Sequence, residues 1–460
     1  MRKKILKALV CGALTFSIFS GGLQTQAATV EQTPNYKTVT EVFDWGPAVS
    51  KLVINLGEKV SSKDIDKDTF KVHVKKILAD GALTWGEGWQ KGQIVLANPA
   101  ERDLTALGLE GDREVIAAYT SDEFGNKTAS GNFVTVEMKI SPTDGLSSAL
   151  NFDAKKFSNN WVNHEYTITL NKNLGKLQSK NFVIDNKKGN IRPIVDDWKF
   201  SHYVVGKEIL SSERRTLAYA VYEPKTSGKR PLIIWLHGGG EGVTDSAVLP
   251  IMGNKATMLS QSPIQDYFGG AYVLAPQCPT AWMEGYEGGA DGKPIYEDIL
   301  MALIKDFVAA NPNVDSSRIY VGGDSNGGYM TLCLARDYPD YFAAGFPVCE
   351  GLNDKLISNG DLQNISKTPL WFVAAKTDKT LPPDINSVPT VARLRDIKAN
   401  VHFTYFDNVL DTSGLYKKQD GTPHEYAGHW SWIYVFNNEV EENIGGKNVK
   451  LFEWLAQQKR

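Results

Sequence analysis

"IYVGGDSNGGYMTLCLARDYP", residues 319–339, decides the fold. It reads as an apolar strand, then the turn Gly323-Asp324-Ser325-Asn326-Gly327, then a helix carrying Cys333 that stops before Pro339. A turn from strand to helix this tight leaves no room for side chains two residues before and two after the serine, and glycine stands at both places. The first N–H groups of the helix have no partner within it and lie beside Ser325, where they can stabilise an anion.

Outward from this stretch, apolar strands alternate with helices. "RPLIIWLHGGG" (230–240), "GAYVLAPQ" (270–277), "TPLWFVAAKTD" (368–378) and "NVHFTYFD" (400–407) read as strands. Between them, "EDILMALIKDFVAANP" (297–312) places Leu300, Leu303, Ile304 and Phe307 at helix spacing and ends at a proline. Continuous apolar strands separated by amphipathic helices imply a largely parallel sheet covered on both faces. Residues 33–190 follow another rule. "TFKVHVKKI" (69–77), "NFVTVEMKI" (132–140) and "HEYTITL" (164–170) alternate apolar and polar residues, and "DEFGNKTASG" (122–131) offers hairpin chemistry, as in an immunoglobulin-like antiparallel sandwich. The expected organisation is a leader over 1–28, a sandwich over 29–194 and a catalytic domain over 195–460.

The leader expectation rests on Arg2, Lys3, Lys4 and Lys7 ahead of an apolar run from Ala8 to about Phe19, then small residues around Ala27 and Ala28. That run is too short for a membrane anchor, and secretion with cleavage of the leader is expected. Cys11 lies too early in the run to be a lipid-attachment site. The chain has 460 residues, is 42% hydrophobic and 22% charged, and carries a formal net charge of -3. That charge offers no general attraction to nucleic acid. Beyond the leader only Cys278, Cys333 and Cys349 remain, which excludes a disulfide scaffold and leaves one pairing, Cys278 with Cys349, open. No pair has metal-ligand spacing, and no metal is expected.

In parallel sheets, ligands meet the carboxyl ends of the strands. Three such ends carry chemistry. The first presents Ser325. The second, "WLHGGGE", closes its strand with a glycine turn whose N–H groups suit a developing oxyanion; no G-K-[ST] follows, and Glu241 opposes a phosphate. Gly239 or Gly240 and the N–H of Asn326 are the expected donors. The third presents Asp378, with Asp384 and Asp411 as weaker candidates. The order serine, acid, histidine leaves His402, His424 and His429 for the base. His402 falls inside a strand, while His429 precedes an aromatic helical stretch in the loop 420–436, so His429 is favoured with His424 second. A neutral imidazole accepts the serine proton and the aspartate holds its tautomer. Trp282, with Met283 and Tyr286, is the expected substrate-binding wall.

Taken in order, "LIIWLHGGGEG", "YVLAPQCPTAW", "SSRIYVGGDSNGG", "WFVAAKTDKTLPP" and the terminal "GHWSWIYVF" resemble the secreted bacterial esterases of the α/β-hydrolase superfamily. More narrowly, the chain resembles those with an N-terminal immunoglobulin-like domain, near the polyhydroxybutyrate-depolymerase-like and prolyl-oligopeptidase-like groups. The likeness covers about residue 200 to the end, and is architectural over 33–190. It implies a triad of Ser325, Asp378 and His429, a small-molecule carboxylic ester of short acyl chain as substrate, and no cofactor. Asp324 and Asn326 flank the serine where relatives often carry an apolar residue. Peptidase, feruloyl or acetyl polysaccharide esterase, and an inactive binding protein are the alternatives, and self-association into a homo-oligomer is left open.

Overall fold

Alternation decides the N-terminal part. Strand β3 (Phe70–Ile77) buries Phe70, Val72 and Val74 and turns Lys71, His73 and Lys75 outward, as a two-residue period requires when one face meets a core. The computed structural model describes residues 33–77, 83–85, 93–95, 108–153, 157–205, 216–242 and 247–460. The expected leader and Cys11 lie outside them. The other strands of this part are β1 (Asn35–Phe43), β2 (Gly46–Ser61), β4 (Leu83–Trp85), β5 (Gln93–Val95), β6 (Glu110–Arg113), β7 (Val115–Ser121), β8 (Ser130–Met138), β9 (Leu150–Asp153), β10 (Ser158–Trp161), β11 (Asn163–Leu170), β12 (Val183–Ile184) and β13 (Lys187–Ile191). They form a five-stranded sheet, β13-β1-β2-β8-β7, and a four-stranded sheet, β12-β11-β3-β6. Tyr36, Leu52, Ile54, Val72, Val134, Val136, Tyr166 and Ile168 belong to the core between them. The hairpin β9–β10 stands apart from both sheets.

The second part is an eight-stranded sheet ordered β14-β15-β17-β16-β18-β19-β20-β21. Its strands are β14 (Trp198–Val204), β15 (Thr216–Tyr222), β16 (Arg230–Leu236), β17 (Tyr272–Gln277), β18 (Val314–Asp324), β19 (Ala344–Val348), β20 (Leu370–Ala375) and β21 (Val401–Phe406). The β14–β15 and β15–β17 pairs are antiparallel and the pairs from β17 to β21 are parallel. In β16, Ile233 and Trp235 enter one apolar layer while Leu232, Ile234 and Leu236 enter the other, which is why that strand reads as continuously hydrophobic. The helices are α1 (Leu249–Met252), α2 (Ile264–Phe268), α3 (Glu297–Ala310), α4 (Asn326–Asp337), α5 (Asn359–Ile365), α6 (Ser387–Asp396), α7 (Trp432–Phe436) and α8 (Leu451–Gln457). Buried side chains of α3, α4 and α6 pack on the Leu232 face, and those of α1, α2, α7 and α8 on the Trp235 face.

Residues 34–460 form one compact unit. Lys255 sits between the two parts, its Nζ 2.6 Å from Asp44 and 2.6 Å from the Asn437 amide oxygen. Trp45 meets Tyr416 edge-on, with ring centroids 4.8 Å apart. Among the described residues no helix is long and apolar enough to cross a membrane.

Candidate active site

The elbow is built by close approach. A Cβ on Gly327 would lie 1.8 Å from the Leu236 carbonyl oxygen, and one on Gly323 would lie 2.5 Å from the same oxygen. The end of β16 therefore runs through the space that side chains would need. Ser325, half-buried, takes φ 53° and ψ -110°. Such backbone costs a serine about 1–3 kcal/mol and persists only where the surroundings hold it. They do: its N–H donates to the Val348 carbonyl at 2.8 Å and its carbonyl accepts from Tyr329 at 3.0 Å.

Asp378 follows β20 and is buried. Its Oδ1 accepts from the Thr380 and Leu381 N–H groups at 2.8 and 3.0 Å, and its Oδ2 accepts from His429 Nδ1 at 2.7 Å. The loop bearing His429 is pressed onto the same strand end, since a Cβ on Gly428 would lie 2.4 Å from the Thr377 carbonyl carbon. With Nδ1–H committed to Asp378, the imidazole's Nε2 is left as its proton-accepting nitrogen. β18, β19 and β20 are consecutive in the sheet, so Ser325 and Asp378 stand at strand ends two positions apart. The thiol of Cys349, just past β19, is buried, and burial pushes its titration far up.

The structure assigns other tasks to the alternatives. His402 packs between Trp371 and Trp454 and contacts Glu442 at 3.2 Å. His424 packs on Tyr426, and its carbonyl accepts from the Asp411 N–H. Asp411 accepts from Ser413, Gly414 and Tyr416 and so organises its own loop. Asp384 is exposed.

The glycine turn is fixed from below. Burial pushes the His237 imidazole down to about 4, so it is neutral, with Nδ1–H donating to the Gly238 carbonyl at 2.7 Å and Nε2 accepting from the Cys278 N–H at 3.0 Å. A peptide's C=O and N–H point in opposite directions, so holding the Gly238 carbonyl also aims the Gly239 N–H. Glu241 accepts from the Gly238 N–H at 3.1 Å. Gly240 needs its glycine, with φ 90°. Asp324 points beneath this turn rather than toward a substrate: it is fully buried, accepts from Asn254 Nδ2 at 2.6 Å, and its carboxyl is pushed up to about 7 by burial. Asn326 Oδ1 accepts from the Met283 N–H at 2.7 Å, tying the helix start to the loop after β17.

One expectation fails. Trp282 is wholly buried, its ring 5.3 Å from that of His237, and it has no surface to offer a substrate. The bonds from Cys278 to His237 and from Met283 to Asn326 draw the loop under the glycine turn, and Trp282 goes with it. Cys278, Cys333 and Cys349 are free and buried, so the pairing left open by the sequence is not formed. Sequence reasoning saw His237 and Glu241 in the glycine-turn motif but not their part in holding the turn, and it missed the sandwich residues Phe157 and Asn159, which touch the turn from the other domain.

Residues 35–182 match the esterase Ig-like N-terminal domain family, and residues 281–354 match the prolyl oligopeptidase family. The solved structure of a thermostable esterase superposes with a TM-score of 0.69 over 93% of this chain and 100% of that one, at 22% identity, which shows the fold. Acetylxylan esterase A of Aspergillus ficuum is 25% identical over 129 residues, 27% of this chain and 39% of that protein. Feruloyl esterase B of Neurospora crassa is 30% identical over 131 residues, 28% of this chain and 41% of that protein. The chain thus spans less than half the length of the curated relatives it matches. The chain thus has an α/β-hydrolase fold preceded by an immunoglobulin-like domain, and its residues 35–182 match the immunoglobulin-like N-terminal domain of esterases.

Proposed function

We propose that the chain is a serine carboxylesterase acting through an acyl-enzyme on Ser325, with His429 as general base and Asp378 as the acid that orients it. The observation that carries the reading is the 2.7 Å pairing of Asp378 with His429, two strand positions from a serine held at positive φ on a strand-to-helix elbow. Two strand spacings are about 9.6 Å, the scale a carboxylate, imidazole and hydroxyl in series must bridge. Ser325 Oγ attacks the ester carbonyl as His429 Nε2 takes its proton, and the imidazolium is stabilised by Asp378. The tetrahedral oxyanion is held by the N–H groups of Gly239 or Gly240 and of Asn326, each donor worth about 3 kcal/mol in the barrier. His429 then protonates the departing alcohol, and water resolves the acyl-enzyme by the same route.

Short acyl esters are the proposed substrates, and the leader over 1–28 supports a secreted enzyme with the domain boundary near 194/195. The relatives' names favour a second reading, an acetyl or feruloyl polysaccharide esterase with the same triad. The two differ only in substrate and are separated by a panel that varies acyl length and alcohol. The common mechanism is tested by Ser325→Ala: loss of p-nitrophenyl butyrate hydrolysis and of fluorophosphonate labelling is expected, and wild-type turnover by the variant would sink it.

A further inference from the structure

The glycine turn is also held from the sandwich side. Ser158, the first residue of β10, bridges Gly240 in parallel register, and the Asn159 N–H donates to the Gly240 carbonyl at 2.5 Å. One residue earlier, Phe157 adopts left-handed backbone with φ 51°, and its ring edge lies over Gly239, where an added Cβ would come 2.7 Å from Cε1. Phe152 on β9 backs this ring edge-on with centroids 5.4 Å apart, and lies 3.1 Å from where a Cβ on Gly240 would stand. Phe157 nevertheless keeps 52% of its surface exposed. An aromatic ring fixed on strained backbone, seated on the turn and half open, presents an apolar face beside that turn without serving as core.

Distance gives the consequence. With the ester oxygen about 2.9 Å from the Gly239 N–H, bond lengths limit its separation from Phe157 Cε1 to at most about 9 Å. A chain of four to six carbons or an aromatic group on the ester can span the whole of that interval, and an acetyl group only its shortest values. We propose that Phe157 is a specificity-determining residue of the ester site, through which the N-terminal domain supplies an apolar wall for the larger substituent of the ester. This rests on the esterase reading above. The wall contacts the substituent only when it is long enough, and so it discriminates among esters.

The test compares wild type, Phe157→Ala and Phe157→Leu in the full chain on two series: p-nitrophenyl acetate against hexanoate, which varies the acyl side, and ethyl acetate against hexyl acetate, which varies the alcohol side. In one series the long-to-short ratio of kcat/KM is expected to fall about tenfold in Phe157→Ala, carried mainly by KM, with Phe157→Leu intermediate. The series that responds tells which side of the ester meets the ring. An equal loss on every ester, or ratios unchanged in both variants, overturns the proposal. Should Phe157→Ala fail to fold, a two- to threefold fall in the ratio with Phe157→Leu carries the test, and its absence overturns the proposal equally. Failure of the esterase reading looks different, because the wild type would then turn over none of these esters.

Discussion

Gly327→Ala probes the elbow where its geometry is tightest. The new Cβ would lie 1.8 Å from the Leu236 carbonyl oxygen, 2.4 Å from its carbon and 2.9 Å from the His237 carbonyl oxygen. Real Cβ atoms essentially never approach closer than 3.0 Å, so the end of β16 and the start of α4 must separate by about 1.2 Å. Neither is a flexible side chain. The end of β16 leads directly into His237 and the glycine turn, so the displacement falls on the proposed oxyanion donors relative to Ser325. A misplacement of about 1 Å in a catalytic constellation costs about a hundredfold, and forced overpacking of this kind costs about 1–3 kcal/mol of stability. The expected result is a loss of about 100-fold in kcat on p-nitrophenyl butyrate, with KM changed far less and the unfolding midpoint in urea lowered. Gly189→Ala is the control, because its Cβ meets nothing within 4 Å and its backbone is not left-handed; it should leave both quantities at wild-type values. A Gly327→Ala enzyme within threefold of wild type would refute the reasoning, since the elbow would then tolerate what the backbone approach forbids.

Asp378→Asn keeps the shape of the acid but lets His429 settle in the wrong tautomer, and kcat should fall about 10⁴-fold; a loss under tenfold, measured by steady-state ester hydrolysis, would count against Asp378 as the orienting residue. Asp324 has its carboxyl raised from 3.8 to about 7 by burial, so its contribution to stability is complete below pH 3.8 and is lost as pH rises through about 7. Asp324→Asn does not titrate, and between pH 5 and pH 8 the stability of wild type should fall relative to this variant by about 3 kcal/mol in urea unfolding, whereas a pH-independent difference would contradict the buried-acid assignment. Cys278, Cys333 and Cys349 are buried and free, so 5,5′-dithiobis(2-nitrobenzoate) should find none of them in the folded enzyme and all of them after denaturation without reductant.

What could be read from the sequence follows from how local the physics is. The strand, turn and helix around Ser325 lie within 21 consecutive residues, and the glycines needed by the elbow sit beside the serine they serve. Parallel and antiparallel strands announce themselves by continuous or alternating apolarity, which is why the two architectures were visible. Asp378 and His429 are 51 residues apart, and order after the serine left them among three acids and three histidines; their 2.7 Å contact needed the fold. Trp282 was misread because an aromatic residue after a strand end lines a site or packs beneath it according to which way its loop folds. That direction is set by bonds to His237 and Asn326, far along the chain. Nothing around Phe157 or Asn159 marks them in sequence, because the group they meet, the Gly239–Gly240 turn, lies about 80 residues further on in another domain.

The bond from Asn159 to Gly240 also bears on heredity. A recombination event in the link between Ile191 and Trp198 would leave every strand of both parts whole and would look harmless on a map of secondary structure. It would nevertheless exchange the donor of that bond, the ring on Gly239 and the Asp44 partner of Lys255 for whatever another lineage carries at those places. The two halves of this gene are therefore expected to travel together, and shuffled chimeras to fold well yet turn over poorly unless the 157–159 segment comes from the same parent as the glycine turn.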